Sequence, residues 1–292
     1  MKSCAYLTMT DPGDYVMDYE LSFEPMATVG WQAVPVEWRD TSVDWNDFDA
    51  VYVCTPWDYP EHADEFMQLM RSIDKSSALL VNPLPLIRWS LSKEYLRDLE
   101  NRGAAIVPSL WFDSFDGDAL TEAFRTLASD RLVIKPAIGA NAKDAFVLER
   151  PVDDALSGKL GQLFKNRAYF LQPFIASIET EGEYSVFCFS GEYSHAILKT
   201  PKPGDFRSQE EHGSEIRSVV ASPALREASD AVLSLVEPQP VYVRADFVRD
   251  ADDEFLLMEL ELIEPALYFR MDPTSPVRFA KALDRYYQSH NQ

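Results

Sequence analysis

The sequence predicts a mixed fold that opens with an α/β sheet and continues with paired antiparallel strands and helices. Apolar strand-like runs alternate with helix-like segments through residues 1–90, a pattern typical of an open α/β sheet. Further along, strand-like runs are joined by short turns at 190–192 ("SGE") and 249–254 ("RDADDE"), which predicts two hairpins. Hydrophobic residues make up 46% of the 292 residues, so the chain can bury substantial cores.

The charge balance and the cysteines narrow the classes of partner and compartment. The chain has 27 Lys and Arg against 48 Asp and Glu, a formal net charge of −21. Such a chain is repelled by nucleic acid and anionic lipid, so we expect neither as a partner. Cys4, Cys54 and Cys188 form no C-x-x-C motif, which favours a reducing compartment. The first residues turn polar too early for a signal peptide, and the expected location is the cytoplasm.

The segment 54–59 ("CTPWDY") follows an apolar run in the α/β part. Ligands of open α/β sheets sit at the carboxyl ends of strands, so this segment is a candidate site edge. The alternative is an ordinary loop that begins at the proline and is anchored by its aromatic residues, and this sequence fits it equally well.

A helix is predicted over residues 90–103, because leucines recur at helical spacing and Gly103 suits the position after its end. Ser90 or Ser92 would cap this helix, and Lys93 would fall in its first turn. A lysine is unfavourable beside the positive end of the helix dipole. It is either solvated there or directed at an anion.

A second helix is predicted over 117–129 and is followed by a strand that ends at Lys135. Small residues occupy the loop after this strand, at 137–142. Small side chains allow backbone amides to approach a phosphate closely. An ordinary hairpin connection would have a similar sequence, and the loop contains one glycine, Gly139.

The strands predicted at 241–248 and 255–263 flank the second turn. If the turn closes a four-residue loop, Arg249 pairs with Glu254 and Arg244 lies opposite Glu259. Asp246 is then diagonal to Glu259 on the same face. A slip of one residue would move the two acidic sets to opposite faces.

With that register, Asp246, Glu259 and Glu261 converge on one sheet face beside Arg244. Clustered carboxylates repel one another unless a cation compensates them. Mg²⁺ prefers oxygen ligands and keeps positions open for phosphates. The alternative is a solvated outer face in an acidic protein.

The order of these motifs resembles the ATP-grasp superfamily of carboxylate-amine ligases, which includes bacterial glutathione synthetase and D-alanine ligase. Four segments are similar to the branch that contains the D-cycloserine-forming ligase: "WDYPEHADEF", "NPLPLIRWSLSKEYL", "GDFRSQEEHG" and "ELELIEPAL". The resemblance implies an ATP-grasp fold in which an N-terminal α/β domain (1–90) precedes two α+β lobes (91–171 and 172–292). These lobes would clasp ATP.

The resemblance also implies a role for each matching residue. Lys93 and Lys135 match phosphate ligands; Gln172, Pro173, Phe174 and Ile175 match the hinge that holds adenine; Glu183 or Glu179 matches the ribose ligand; Lys199 and Arg207 match basic residues near the γ-phosphate and the substrate carboxylate; Asp246, Glu259 and Glu261 match the ligands of Mg²⁺, with Mn²⁺ as an alternative. Arg244 would bind a substrate anion or balance Glu259. The third metal position is often Asn in the superfamily, and the loop after Lys135 is poor in glycine.

The implied reaction is ATP-dependent ligation. A small amino-acid-like carboxylate is activated as an acyl phosphate and joined to an amine, in the same or another molecule, and ADP and phosphate are released. A non-catalytic nucleotide-binding regulatory module and a Mg²⁺-dependent hydrolase are the alternatives. The expected partners are small-molecule substrates, with a homodimer possible.

Three further residues carry weaker signals. His195 could act as a base, although a hydrogen-bonded structural histidine is the commoner case. Cys188 is expected to be a buried packing residue. Glu264, at a strand end before Pro265, would either orient Arg244 and the metal ligands or lie on the surface.

Overall fold

The first part of the chain forms a parallel sheet, as the alternating pattern predicts. The computed structural model describes residues 1–290. Its first sheet has the order β2-β1-β3-β4 and every pairing is parallel. The strands are β1 (Lys2–Thr8), β2 (Trp31–Glu37), β3 (Ala50–Thr55) and β4 (Leu79–Val81), and the helices between them are α1 (Phe23–Thr28) and α2 (Ala63–Asp74). β3 is buried along its whole length, as expected for an inner strand of such a sheet.

The predicted continuous helix over 90–103 is wrong. Two helices stand there instead, α3 (Leu84–Ser90) and α4 (Tyr95–Asn101), with Lys93 between them. Ser90 does not cap a new helix, since its hydroxyl donates to the Leu86 carbonyl one turn earlier, at 3.0 Å. The Lys93 N–H donates to the Ala137 carbonyl at 2.7 Å. Contacts distant in sequence therefore fix the break.

The central part is a four-stranded antiparallel sheet with a core of its own. Its order is β5-β8-β6-β7, and α5 confirms the helix expected over 117–129. The elements are β5 (Leu110–Phe112), α5 (Gly117–Thr126), β6 (Arg131–Pro136), β7 (Phe146–Glu149), α6 (Asp154–Leu163) and β8 (Tyr169–Pro173). The buried apolar side chains of this core, among them Phe124, Leu148 and Phe164, all come from residues 120–171.

The last part is a five-stranded antiparallel sheet with the order β11-β10-β9-β12-β13. Both predicted hairpins are confirmed as β9-β10 and β12-β13. The elements are α7 (Ser177–Thr180), β9 (Glu183–Phe189), β10 (Glu192–Thr200), β11 (Glu215–Val219), α8 (Pro223–Leu233), β12 (Tyr242–Arg249), β13 (Phe255–Glu261) and α9 (Ser275–His290). Single 3₁₀ turns lie at Tyr19–Ser22, Trp45–Asp47, Tyr59–His62, Glu210–His212 and Phe269–Met271. Through residue 290, no helix is long and apolar enough to cross a membrane.

The parallel sheet and the five-stranded sheet share one core. Tyr52 packs edge-on against Tyr242, with ring centroids 4.9 Å apart, inside a cluster with residues from both sheets. Asn82 joins them further, because its amide donates to the Tyr242 carbonyl at 2.9 Å and the Leu262 carbonyl at 2.8 Å. Its side-chain oxygen accepts from the Val241 N–H at 2.7 Å. The division at residues 90 and 171 stays a prediction.

His195 is a structural histidine of this shared core. Its Nε2 bonds the Leu267 carbonyl at 3.1 Å, its Nδ1 bonds the Ser194 hydroxyl at 2.9 Å, and its ring stacks on Phe187 at 4.2 Å. Burial lowers the pKa of His195 to about 4. Cys188, also as expected, is a buried packing residue.

We expect His195 to make stability depend on pH. Unfolded chains take up the proton near the ordinary pKa of 6.5, whereas the folded chain resists it until about pH 4. The free energy of unfolding should thus be highest with respect to this group above pH 6.5, and it should fall by about 3 kcal/mol as the pH is lowered to 4. Urea titrations across this range should show a flatter decline for His195→Gln. His62→Gln, at a position 44% exposed, is the control, and identical declines in all three proteins would contradict the assignment.

Candidate active site

A cleft between the central sheet and the five-stranded sheet collects most of the predicted site residues. Tyr15 and Trp57 from the first part of the chain also line it, so segment 54–59 does contribute a site edge, while Tyr59 is buried in a core. The predicted residues that line the cleft are Lys93, Lys135, Gln172, Pro173, Phe174, Ile175, Glu183, Lys199, Arg207, Arg244, Asp246, Glu259 and Glu261. Glu179 is outside the cleft lining, where it pairs with Arg131 at 3.2 Å, so Glu183 is the better placed of the two ribose candidates.

The predicted hairpin register is wrong, although the acidic residues do share a face. Arg249 pairs with Phe255 instead of Glu254, a slip of one residue. A bulge then follows, because Phe247 pairs with Leu257 while Asp246 pairs with Glu259, which leaves Met258 without a partner in the register. The two shifts add to two residues, which restores the face. Glu259 is therefore directly opposite Asp246, and Glu261 is opposite Arg244.

Each of the three carboxylates is paired with a cation. The Arg244 guanidinium donates to both oxygens of Asp246 at 3.0–3.1 Å and also to Glu261. The Lys93 ammonium lies 2.5 Å from Glu259. Within residues 1–290, no group of three acidic, histidine or cysteine side chains is arranged to hold a metal ion. The oxygen donors suit Mg²⁺, but their cation partners occupy them.

Asp246 is the most enclosed of these carboxylates. It is 2% exposed and also accepts from the Ser185 hydroxyl at 2.5 Å. Lys199 lies 3.5 Å from it and forms a closer ion pair with Glu183. Burial alone would lower the pKa of Lys199, but the charges of Asp246 and Glu183 raise it above its usual range. This group therefore stays charged in the cleft wall.

Lys135 differs from the other cations of the cleft. Its ammonium donates to the Gln172 side-chain oxygen at 3.0 Å, and among the residues that the structure describes no carboxylate lies within 4.0 Å of it. Burial lowers the pKa of Lys135. Burying an ammonium without a counter-ion costs free energy, and an anion that binds beside it offsets that cost. The position suits a phosphate.

Arg207 lines the cleft but is already neutralised. Its guanidinium makes a two-point contact with Asp205, at 3.0 Å and 2.8 Å. The pKa of Asp205 is lowered, chiefly by these hydrogen bonds. Arg207 can thus reach a substrate anion only by sharing or leaving Asp205.

The loop between β6 and β7 covers the cleft, so it is both a hairpin connection and a candidate phosphate loop. Lys93 donates its ammonium to the Gly139 carbonyl at 2.8 Å. Asn141 donates to the Tyr15 hydroxyl at 2.9 Å, which ties the loop to the first part of the chain. A Cβ at Gly139 would lie 2.8 Å from the Pro136 ring, so the single glycine of the loop is required by close packing.

Glu264 was not among the residues assigned to the site, and the structure places it there. It is 8% exposed and lines the cleft, so the surface role is wrong. Burial raises the pKa of Glu264 well above its usual range, and the charge of Glu261 raises it further. The Glu264 carbonyl accepts from the Trp57 indole at 2.9 Å. The charge inside an apolar segment was the only signal for it in the sequence.

Comparisons with known proteins agree with this geometry. Residues 4–82 match the family described as the N-terminal domain of D-cycloserine synthetase DcsG. The chain is 33% identical to the cycloserine biosynthesis protein DcsG of Streptomyces lavendulae, over 94% of this chain and 96% of that protein. A crystal structure of D-cycloserine synthetase DcsG matches with a TM-score of 0.86 at 30% identity, covering 98% of this chain and 99% of that one.

A more distant match shows the fold alone. The ATP-grasp ligase PsnB, solved with a phosphomimetic variant of its minimal precursor, Mg and ADP, has a TM-score of 0.67 at 13% identity and covers 100% of this chain and 99% of its own. The predicted ATP-grasp fold is thereby confirmed. With the identity to DcsG extending over nearly its full length, the chain belongs to the ATP-grasp carboxylate-amine ligases, in the family of D-cycloserine synthetase.

Proposed function

We propose that this ligase uses ATP and Mg²⁺ to activate a small amino-acid-like carboxylate as an acyl phosphate, which an amine then captures. The observation that carries the proposal is the ammonium of Lys135, which no carboxylate of the described residues contacts, in a cleft whose other wall holds Asp246, Glu259 and Glu261. A triphosphate with a divalent cation complements both walls at once. ADP and phosphate are the other products.

The position of each cleft residue indicates the part of the substrates that it would bind. Lys135 and Lys93 would hold phosphate oxygens, while the end of β8 (172–175) would hold the base and Glu183 the ribose. Asp246, Glu259 and Glu261 would hold Mg²⁺, which neutralises charge on the transferring phosphoryl group. Arg244, fixed by Asp246, would face the substrate carboxylate. The loop after β6 would exclude water from the acyl phosphate.

Two carboxylates of the cleft indicate the chemistry of the amine. In the described part of the chain, Glu211 and Glu264 are the cleft carboxylates without a Lys or Arg within 4.0 Å, and one oxygen of Glu211 is buried without a hydrogen bond. Tyr15 and Trp57, which contact each other at 5.1 Å, lie at the same end. An amino group arriving as an ammonium ion would complement Glu211 and these two rings, and its charge would favour ionisation of Glu264, whose pKa burial raises. Formation of D-cycloserine, the product for which the relatives are named, is therefore the first activity to test.

Thermal unfolding with ATP, with and without Mg²⁺, tests the nucleotide part of the proposal. At a hundredfold excess over Kd we expect the Tm to rise by about 5 °C, and more with Mg²⁺ than without. No shift with nucleotide would exclude both the ligase and the regulatory module and leave the hydrolase.

Substrate-dependent release of ADP then separates the ligase from the regulatory module. The screen covers amino acids of both configurations and their hydroxylamine and urea derivatives. A protein that binds ATP but releases no ADP with any substrate of this class would be the regulatory module.

We also propose that the enzyme works in the reducing cytoplasm. All three cysteines are free and buried, and burial raises the pKa of Cys188 to about 12, which protects the thiols from oxidation. The homodimer stays a prediction, which light scattering during gel filtration would test.

A further inference from the structure

Two cations of the cleft contact the carboxylates that would hold a metal. Lys93 lies 2.5 Å from Glu259, and Arg244 lies 3.0 Å from Asp246 and also bonds Glu261. A divalent cation that binds these carboxylates therefore competes with a cation already in contact with them. Breaking such an ion pair costs free energy, because the pairs are partly or fully buried and water screens their charges poorly.

The two cations differ in how readily they can leave. Arg244 makes a two-point contact with Asp246 and is 8% exposed, so its planar guanidinium is held in one orientation. Lys93 meets Glu259 through one atom at the end of a flexible side chain. It is also positioned between that carboxylate and the Gly139 carbonyl of the covering loop, 2.8 Å away. Lys93 is the movable member.

We propose that Lys93 is an internal counter-ion that keeps a divalent cation off Glu259 until the phosphates of a nucleotide draw its ammonium away. The inference rests on the proposed function, because it takes Lys93 as a phosphate ligand and Glu259 as a metal ligand. Nucleotide binding then vacates the metal position and metal binding releases the lysine. By linkage, each raises the affinity for the other by the same factor. Without nucleotide, the enzyme binds metal weakly.

Electron paramagnetic resonance of free Mn²⁺ measures this directly, without turnover. In the absence of nucleotide, we expect Lys93→Met to bind Mn²⁺ about tenfold more tightly than the unmodified protein. Lys93→Arg keeps the charge and should bind as weakly as the unmodified protein. Adding the non-hydrolysable analogue AMP-PNP should tighten Mn²⁺ binding to the unmodified protein much more than to Lys93→Met.

Lys135→Met is the matched control, because it removes a lysine charge from the same cleft without removing a partner of a carboxylate. Equal Mn²⁺ affinity of Lys93→Met and the unmodified protein would overturn the proposal. So would an equal gain in Lys135→Met, which would mean a general effect of charge. If Lys93→Met fails to fold, Lys93→Gln gives the same comparison. A failure of AMP-PNP to bind at all would instead contradict the proposed function, and the nucleotide-free comparison would still stand.

Discussion

Replacing Asp246 by Asn is expected to abolish ATP-dependent turnover and to lower the free energy of unfolding by about 3–5 kcal/mol. The carboxylate is 2% exposed and compensates both Arg244, at 3.0 Å, and Lys199, at 3.5 Å. The amide keeps the shape but leaves two buried cations without a full counter-charge. ADP release and urea titration at neutral pH measure the two effects.

Glu259→Gln separates the catalytic loss from the structural one. Its side chain is 27% exposed and, in the described residues, Lys93 is its one ion-pair partner, so we expect a smaller loss of stability than for Asp246→Asn, which leaves two buried cations without a full counter-charge. Turnover should still fall by about 10³-fold, since a charged ligand of the metal is removed. Full ADP release from either variant would show that these carboxylates do not hold the metal.

Lys135→Met should weaken ATP binding by about 100-fold, because a charge-assisted hydrogen bond to a phosphate is lost. Its effect on stability should have the opposite sign to that of Asp246→Asn. The ammonium bonds Gln172 at 3.0 Å and has no carboxylate within 4.0 Å in residues 1–290, so its removal relieves the cost of burying a charge without a contacting counter-ion. Calorimetric titration with ATP and urea titration without it measure both effects.

Lys75→Met provides the control for Lys135→Met. Lys75 is exposed and follows α2, away from the cleft lining. It should leave ATP affinity unchanged. If Lys135→Met bound ATP as tightly as Lys75→Met does, the phosphate would have to lie elsewhere in the cleft.

The α/β sheet and the two hairpins were predictable because their signals lie in short stretches of the sequence, whereas the ATP-grasp fold was predicted from the resemblance to that superfamily. Alternating apolar runs gave the parallel sheet, and the turns at 190–192 and 249–254 gave both hairpins. Gly103, with a φ of +96°, follows α4 as expected for a glycine after a helix. Each of these signals lies within a short stretch of the chain.

The register of the metal hairpin was not predictable because a bulge leaves little trace in the sequence. The predicted loop is one residue shorter than the observed one, which ends at the Arg249–Phe255 pair, and the unpaired Met258 shifts the register by one more residue. Either error alone would have separated Asp246 from Glu259. The correct face was obtained because a strand repeats every two residues.

The ion-pair partners of the site cations could not be predicted from the sequence either. The lysines and arginines of the site look alike in the chain, yet Arg207 is held by Asp205 two residues away, Lys93 by Glu259, and Lys135 by no carboxylate that the structure describes. Lys93 itself was placed in a helix, because the contact with Ala137 that breaks the helix is 44 residues distant. Tertiary contacts decide which cation is available to a ligand.

The amide of Asn82 joins two of the three sheets. By bonding Val241, Tyr242 and Leu262 it fastens the parallel sheet to the five-stranded sheet, and the aromatic core between them makes the two a single cooperative unit. The central sheet has its own core. Separating the parallel sheet from the five-stranded sheet would break three buried hydrogen bonds of Asn82 and expose the core that the two sheets share.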